Sequence, residues 1–138
     1  MHIDGSCHCG KITYEAEIDP ELVKICHCTD CQTLSGTAFR TNVQTRAFKL
    51  LTGKPKIYVK IAESGNRRQL AFCADCGTPI YSAPPGNLAK VVVLRVGAIR
   101  QRGQLPPTEQ YWFRSAQRWL QNLSAVKTRE KQPTFDSH

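Results

Sequence analysis

The sequence predicts a mainly β domain of antiparallel sheets, with one or two short helical turns. Three observations favour this fold class. The 138 residues match the commonest size of one domain. Several segments alternate apolar and polar residues with the period of two that is typical of strands. The chain also lacks the regular succession of strands and helices that builds a parallel sheet.

The first elements lie in residues 12–43. Apolar residues alternate with polar ones over residues 12–18, which predicts a strand with one buried face that ends at Asp19-Pro20. Thr29 can cap a short helix, and Gly36 can stop it. Extended structure is expected to resume at residues 39–43.

Two further strand pairs are predicted in the middle of the chain. Residues 57–61 alternate, and the polar turn at residues 63–66 leads into residues 67–72 as a hairpin partner. Residues 80–83 and 90–96 form the second pair, joined by a turn at residues 84–87. Because the run at 90–96 is largely apolar on both faces, we expect it to be a central strand.

The C-terminal segment is ambiguous in its pattern. Trp112, Ala116, Trp119 and Leu123 could line one face of a helix, but the aromatic residues 111–113 also suit a strand. We favour a strand at residues 111–114 and a helical turn near Trp119. Residues 124–138 are polar and are expected to pack loosely. The domain is therefore predicted to span residues 1–123, followed by a tail at residues 124–138.

Two features favour a cytoplasmic protein. The longest apolar stretch is far shorter than the roughly 18 to 20 residues that a membrane span needs. The first ten residues lack the basic start and apolar run of a secretion signal. In a reducing cytoplasm, cysteines serve metal binding or thiol chemistry more often than structural disulfides.

The seven cysteines occur in three groups at short spacing. The groups are C-x-C, C-x-C-x2-C and C-x2-C, formed by Cys7 and Cys9, by Cys26, Cys28 and Cys31, and by Cys73 and Cys76. Such spacing lets one tight turn aim several sulfurs at a single ion. An odd number would strand one thiol in a disulfide framework, whereas zinc sites with four and three cysteine ligands use all seven.

The outer two groups together would form a closed, structural site with four thiolates. The central group would hold a metal with three protein ligands and leave one position open, as a catalytic zinc requires. The alternatives are buried free cysteines and a redox C-x-x-C, which the clustering and the missing β-α-β pattern disfavour. His8 and His27 lie between ligands in extended segments, so we expect them to support the site or lie at the surface.

Three blocks of sequence carry a resemblance to a known family. They are G-S-C-H-C-G-K-I-T-Y at residues 5–14, C-H-C-T-D-C-Q-T-L-S-G at 26–36 and F-C-A-D-C-G-T-P-I-Y-S at 72–82. Together they resemble the glutathione-dependent formaldehyde-activating enzyme family, which also includes centromere protein V. A weaker tail pattern of Phe113-Arg114, Trp119 and Pro133-Thr134-Phe135 extends the likeness over nearly the whole chain.

The resemblance implies an Mss4-like β-tent of antiparallel sheets clasped by two zinc ions. By position, Cys7, Cys9, Cys73 and Cys76 would hold a structural zinc, and Cys26, Cys28 and Cys31 a catalytic one. The family's named activity joins glutathione to formaldehyde to give S-hydroxymethylglutathione, and it is classed as a carbon–sulfur lyase for the reverse direction.

These expectations lead to a hypothesis of function. A substrate thiol, such as glutathione, would bind as thiolate at the open position of the three-cysteine zinc and attack an aldehyde carbon held beside it. Ser35, Thr37 and His27 are candidate proton donors by sequence proximity only. The alternative is a non-catalytic, zinc-stabilised binding module that uses a basic C-terminal face for nucleic acid or another anionic partner.

The charge distribution bears on that choice. The formal net charge of +8 falls to about +5 when a four-thiolate and a three-thiolate zinc are counted. Residues 90–138 hold nine basic and three acidic residues. This excess could form a rim that attracts a small anionic thiol, or could simply keep the surface soluble. The basic residues are dispersed rather than clustered, which disfavours nucleic acid as the partner.

Overall fold

The computed structural model describes residues 1–86 and 91–134, which form a mainly antiparallel β structure. In these residues, eight strands share one hydrogen-bonded network in the order β1-β2-β3-β7-β6-β5-β4, and β8 pairs with β2. The strands are β1 (His2–Ser6), β2 (Thr13–Cys26), β3 (Arg40–Thr52), β4 (Lys56–Ile61), β5 (Arg67–Phe72), β6 (Pro79–Ala83), β7 (Val93–Arg95) and β8 (Glu109–Tyr111). The helix α1 spans Thr29–Ser35, and short 3-10 segments lie at Val96–Ala98, Arg102–Gln104, Phe113–Ser115 and Arg118–Ala125. The predicted fold class is confirmed.

Strand β2 is longer than the sequence predicted. It does not end at Asp19-Pro20 but continues to Cys26. The pairing of β2 with β3 shifts register between Ile18 and Val23, so the proline, which has no N–H to donate, lies where the ladder is interrupted. The same strand therefore runs from the hydrophobic core to the central cysteine group.

The predicted hairpin at residues 57–72 is confirmed as β4 and β5. Strand β7 lies between β3 and β6, so its expected central position is also confirmed. It covers only Val93–Arg95, and the part of the predicted turn and strand at residues 87–90 lies outside the described residues. No helix in the described part of the chain is long and apolar enough to cross a membrane.

The strand predicted at residues 111–114 lies two residues earlier in the structure and ends at Tyr111. Strand β8 covers Glu109–Tyr111 and pairs in parallel with the end of β2. It stops because Trp112 adopts a left-handed conformation with φ of 55°, which a strand cannot continue. The helical turn expected near Trp119 is present as the 3-10 segment Arg118–Ala125.

The hydrophobic core includes the fully buried side chains of Ile3, Tyr14, Ile18, Val43 and Leu94. They come from strands β1, β2, β3 and β7, which are neighbours in the sheet. The core therefore joins β1, which leads into Cys7, to β2, which ends at Cys26.

Gly5 is required by the packing of this core. A Cβ atom at this position would overlap the ring end of Tyr14 and lie 2.6 Å from the backbone oxygen of Ala98. We expect Gly5→Ala to lower the free energy of unfolding by about 1–3 kcal/mol or more, as overpacking does. Urea denaturation measures this change in the free energy of unfolding. Gly103→Ala is the control, because a Cβ atom at position 103 meets nothing within 4 Å. Equal stability of the two variants would contradict this packing.

Candidate metal centres

The outer cysteine groups come together as the sequence predicted. The Sγ atoms of Cys7, Cys9, Cys73 and Cys76 all lie within 4.8 Å of one another. The Sγ of Cys9 is 3.6 Å from that of Cys7 and 3.7 Å from that of Cys73. A tetrahedral zinc with bonds of about 2.3 Å places its sulfur ligands about 3.8 Å apart, so the four thiols fit such an ion.

Two similar turns hold these sulfurs. In the first, the backbone N–H of Gly10 donates to the carbonyl of Cys7, and in the second that of Gly77 donates to the carbonyl of Cys73. Both glycines have a positive φ, 84° at Gly10 and 79° at Gly77, which other residues adopt at a cost. The backbone N–H of Ile12 also donates to the Sγ of Cys7.

The two turns also contact each other directly. The backbone N–H of His8 donates to Thr78 Oγ1 at 3.0 Å, and Lys11 pairs with Asp75 at 2.8 Å. Hydrogen bonds from the Thr78 hydroxyl and amide lower the pKa of the Cys76 thiol to about 5. A thiol that loses its proton readily is suited to metal binding.

The central group forms a second cluster. The Sγ atoms of Cys26, Cys28 and Cys31 lie within 4.8 Å of one another. Cys26 is the last residue of β2, and Cys31 lies in the first turn of α1. The cap of this helix is Cys28 rather than Thr29 as predicted, because the Sγ of Cys28 accepts the backbone N–H of Cys31 at 3.3 Å. The predicted stop at Gly36 is correct, with φ of 72°.

A hydrogen bond between two thiols of this cluster shifts the pKa values of Cys26 and Cys31 in opposite directions. A hydrogen bond from the Cys31 thiol, aided by the Cys28 amide and the charge of Lys60, holds the pKa of Cys26 at about 5. The same hydrogen bond and burial raise the pKa of Cys31. The cluster thus contains one readily formed thiolate beside two further thiols. Among the described residues no fourth ligand joins these three cysteines, an arrangement that suits a metal with an open position.

Neither cluster includes a histidine among the described residues. His8 is exposed, whereas His27 is buried between the rings of Phe39 and Phe113. His27 Nε2 lies 2.7 Å from Gln110 Oε1, and its backbone N–H donates to Tyr111. His27 therefore fixes β8 to the loop that carries the cysteines.

Gln32 performs a similar task from α1. Its Nε2 donates to the backbone oxygens of His27 and Ser115, and its Oε1 accepts from Gln117. The bonds to Ser115 and Gln117 join the helix to the C-terminal segment, and the one from Gln117 spans 85 positions of sequence. Neither Gln32 nor Gln110 was singled out from the sequence, because only tertiary contacts give them partners.

The three-cysteine cluster opens onto a cavity of about 510 Å³. Cys28 lines it, together with the basic residues Lys60 and Arg114 and the ring of Trp112. Lys60 is held by Asp30 at 2.9 Å, and Arg114 lies over the Trp112 ring at 5.0 Å. Asp30 and Glu63 also line this cavity, so its charged lining consists of two basic and two acidic side chains. A small molecule in the cavity can reach the sulfur of Cys28.

The other predicted proton donors do not line this cavity. The Ser35 hydroxyl donates to Phe39 at 3.2 Å and accepts the backbone N–H of Thr37. Both residues thus belong to the loop around Gly36. The cavity instead offers the hydroxyls of Thr29 and Ser115 and the ammonium group of Lys60.

The basic C-terminal residues do not form a single rim. Arg100 forms a bidentate pair with Asp4, which holds the pKa of that carboxyl at about 2. Arg95 is buried with 8% exposure, as is Arg40. Burial and the nearby charge of Arg40 lower the pKa of Arg95 to about 9, so it remains charged at neutral pH.

Comparisons with known proteins agree with this arrangement. A model of the family described as glutathione-dependent formaldehyde-activating enzyme matches residues 2–115. The crystal structure of a Rhodobacter sphaeroides protein superimposes with a TM-score of 0.59 and 17% identity, covering 78% of this chain and 98% of that chain. At this identity the likeness concerns the fold alone. No curated protein matches the chain in sequence.

Proposed function

The chain belongs to the glutathione-dependent formaldehyde-activating enzyme family, and on that basis we propose that it is a zinc-dependent enzyme of the carbon–sulfur lyase type. Its substrate is an adduct of a thiol, such as glutathione, with an aldehyde, formed or cleaved at the three-cysteine cluster. The observation that carries this proposal is the position of Cys28, a member of the three-cysteine cluster, in the lining of a cavity of about 510 Å³.

Two zinc ions are assigned to the two clusters. Cys7, Cys9, Cys73 and Cys76 hold the structural ion, and Cys26, Cys28 and Cys31 hold the catalytic one. Bound at the three-cysteine cluster, zinc supplies a thiophilic centre with an open position that favours the deprotonated form of a thiol.

The residues of the chain bind and orient the substrate. Arg114, which lies over the Trp112 ring in the cavity wall, attracts a carboxylate of an anionic thiol, whereas Lys60 is paired with Asp30. Thr29 and Ser115 have hydroxyls in the same cavity that can donate to the alkoxide formed when the thiolate attacks the aldehyde. We also place the protein in the cytoplasm, because metal binding by seven thiolates requires reduced cysteines.

A direct assay tests this function. Zinc-loaded protein is mixed with glutathione and formaldehyde, and then with larger aldehydes, and adduct formation is followed by NMR. We expect the rate to exceed the uncatalysed rate only when protein, thiol and metal are all present, and a chelator to abolish the excess. Catalysis that survives chelation would contradict the proposal. No turnover, with steeply salt-dependent binding of duplex DNA, would favour a binding module instead.

A further inference from the structure

A second cavity adjoins the three-cysteine cluster and has a different character. Its volume is about 330 Å³, and it contains the two buried arginines Arg40 and Arg95. Its other walls are largely apolar and none of the lining residues is acidic; they include Leu34, Tyr58, Leu70, Phe72 and Pro79. Leu34 belongs to α1, the helix that also carries Cys31, and Arg40 is the strand partner of Cys26, so residues of this cavity neighbour the cluster in both elements.

Strand register explains why the arginines lie beside the cluster. Cys26 on β2 is paired with Arg40 on β3, and Asn42 on β3 is paired with Arg95 on β7. Directly paired residues project from the same face of a sheet, as do residues two apart on one strand. Cys26, Arg40 and Arg95 therefore share one face, and Arg40 and Arg95 are diagonal neighbours, a separation that long side chains bridge.

The charge of this pair is not balanced by acidic residues. Arg95 donates to Asn42 Oδ1 at 2.7 Å, but among the described residues no carboxylate pairs with either guanidinium. Each arginine is more than nine-tenths buried, with 8% exposure, and a buried charge without a partner is costly. A metal held by three thiolates carries a charge of −1, which offsets only one of the two positive charges.

We propose that this cavity binds a carboxylate with an apolar body, with Arg40 and Arg95 holding the carboxylate oxygens. Guanidinium groups present planar, charged donors that match a carboxylate, and the bound anion balances the remaining positive charge. The assignment of this carboxylate to a substrate rests on the proposed function, because it specifies the substrate class of that reaction. One of the two substrates, either the thiol or the aldehyde, carries this carboxylate.

The binding test does not depend on turnover. Butanoate and its neutral analogue butanamide are titrated by calorimetry into the zinc-loaded wild type, Arg95→Met, and the control Arg118→Met, whose arginine is exposed. Neither probe has a thiol, so the result is independent of thiol–aldehyde chemistry. We expect saturable butanoate binding to the wild type and the control, and at least tenfold weaker binding to Arg95→Met. We expect butanamide to bind at least tenfold more weakly than butanoate.

Three results would overturn the proposal. They are the absence of saturable butanoate binding to the wild type, equal binding of butanoate and butanamide, and unchanged binding by Arg95→Met. If Arg95→Met does not fold, Arg40→Met provides the same comparison. Thermal unfolding adds a second readout, because removing one of two unpaired buried charges should raise the melting temperature without ligand.

The source of the carboxylate is decided by two comparisons in the enzyme assay. If it belongs to the aldehyde, Arg95→Met will lose the preference of the wild type for 4-oxobutanoate over butanal, measured as the ratio of the two rates. If it belongs to the thiol, Arg95→Met will lose its preference for glutathione over the ethyl ester of glutathione. A change in neither preference, in a protein that is active, would contradict the substrate assignment while leaving the proposed reaction in place.

Discussion

Cys73→Ser is expected to leave most of the protein unfolded at room temperature. Cys73 is a buried core residue as well as a member of the four-cysteine cluster. A structural zinc contributes an apparent free energy of about 10 kcal/mol or more, and the whole stability of a domain is about 5–15 kcal/mol. Because this cluster joins residues near the start of the chain to residues in its middle, losing one thiolate weakens the metal site and the core together.

Circular dichroism and metal analysis measure this effect, and Cys26→Ser is the matched control. The control also replaces one cysteine by serine, but it leaves the four-cysteine cluster intact. We expect the control to remain folded with one zinc per chain. A melting temperature of Cys73→Ser within a few degrees of the control would show that the four-cysteine site does not stabilise the fold.

Cys28→Ser is expected to abolish catalysis and preserve the fold. The Sγ of Cys28 caps α1, and serine is among the best residues for this position, so the helix should survive the change. A hydroxyl does not replace a thiolate as a zinc ligand. Since loss of a residue that merely orients a ligand costs about 10- to 100-fold, loss of the ligand itself should reduce the rate by more than about 100-fold.

The comparison uses Thr33→Ala as its control. Thr33 lies on the exposed side of the same helix and lines none of the cavities described above. We expect this variant to retain the wild-type rate and both zinc ions, whereas Cys28→Ser should retain only the structural ion. Full activity of Cys28→Ser would refute a role for the three-cysteine cluster in the reaction.

The partition of the cysteines could be predicted because it depends on short-range spacing. Each group lies within one turn, and the left-handed glycines that such turns need, Gly10 and Gly77, are visible in the sequence. The joining of Cys9 to Cys73 across 64 positions followed from counting ligands. Neither step required knowledge of how the strands pair.

The second cavity could not be predicted, because it depends on strand register. Arg40 and Arg95 are 55 positions apart, and they share a face only because Asn42 is paired with Arg95. In the sequence, Arg95 only interrupts an apolar run, and nothing in that pattern indicates a neighbour 55 positions away. The continuation of β2 past Pro20 was missed for a related reason, since only the shift in register shows how the strand accommodates a residue without an N–H.

The central claim is that the three-cysteine cluster holds a metal with an open position for a thiol. The most direct measurement replaces zinc by cobalt and records the sulfur-to-metal charge-transfer absorption before and after adding glutathione, with S-methylglutathione as the control. The account predicts two metals per chain and a gain in this absorption with glutathione alone, because a fourth sulfur ligand is added at the open position. One metal per chain, or a spectrum that glutathione leaves unchanged, would contradict it.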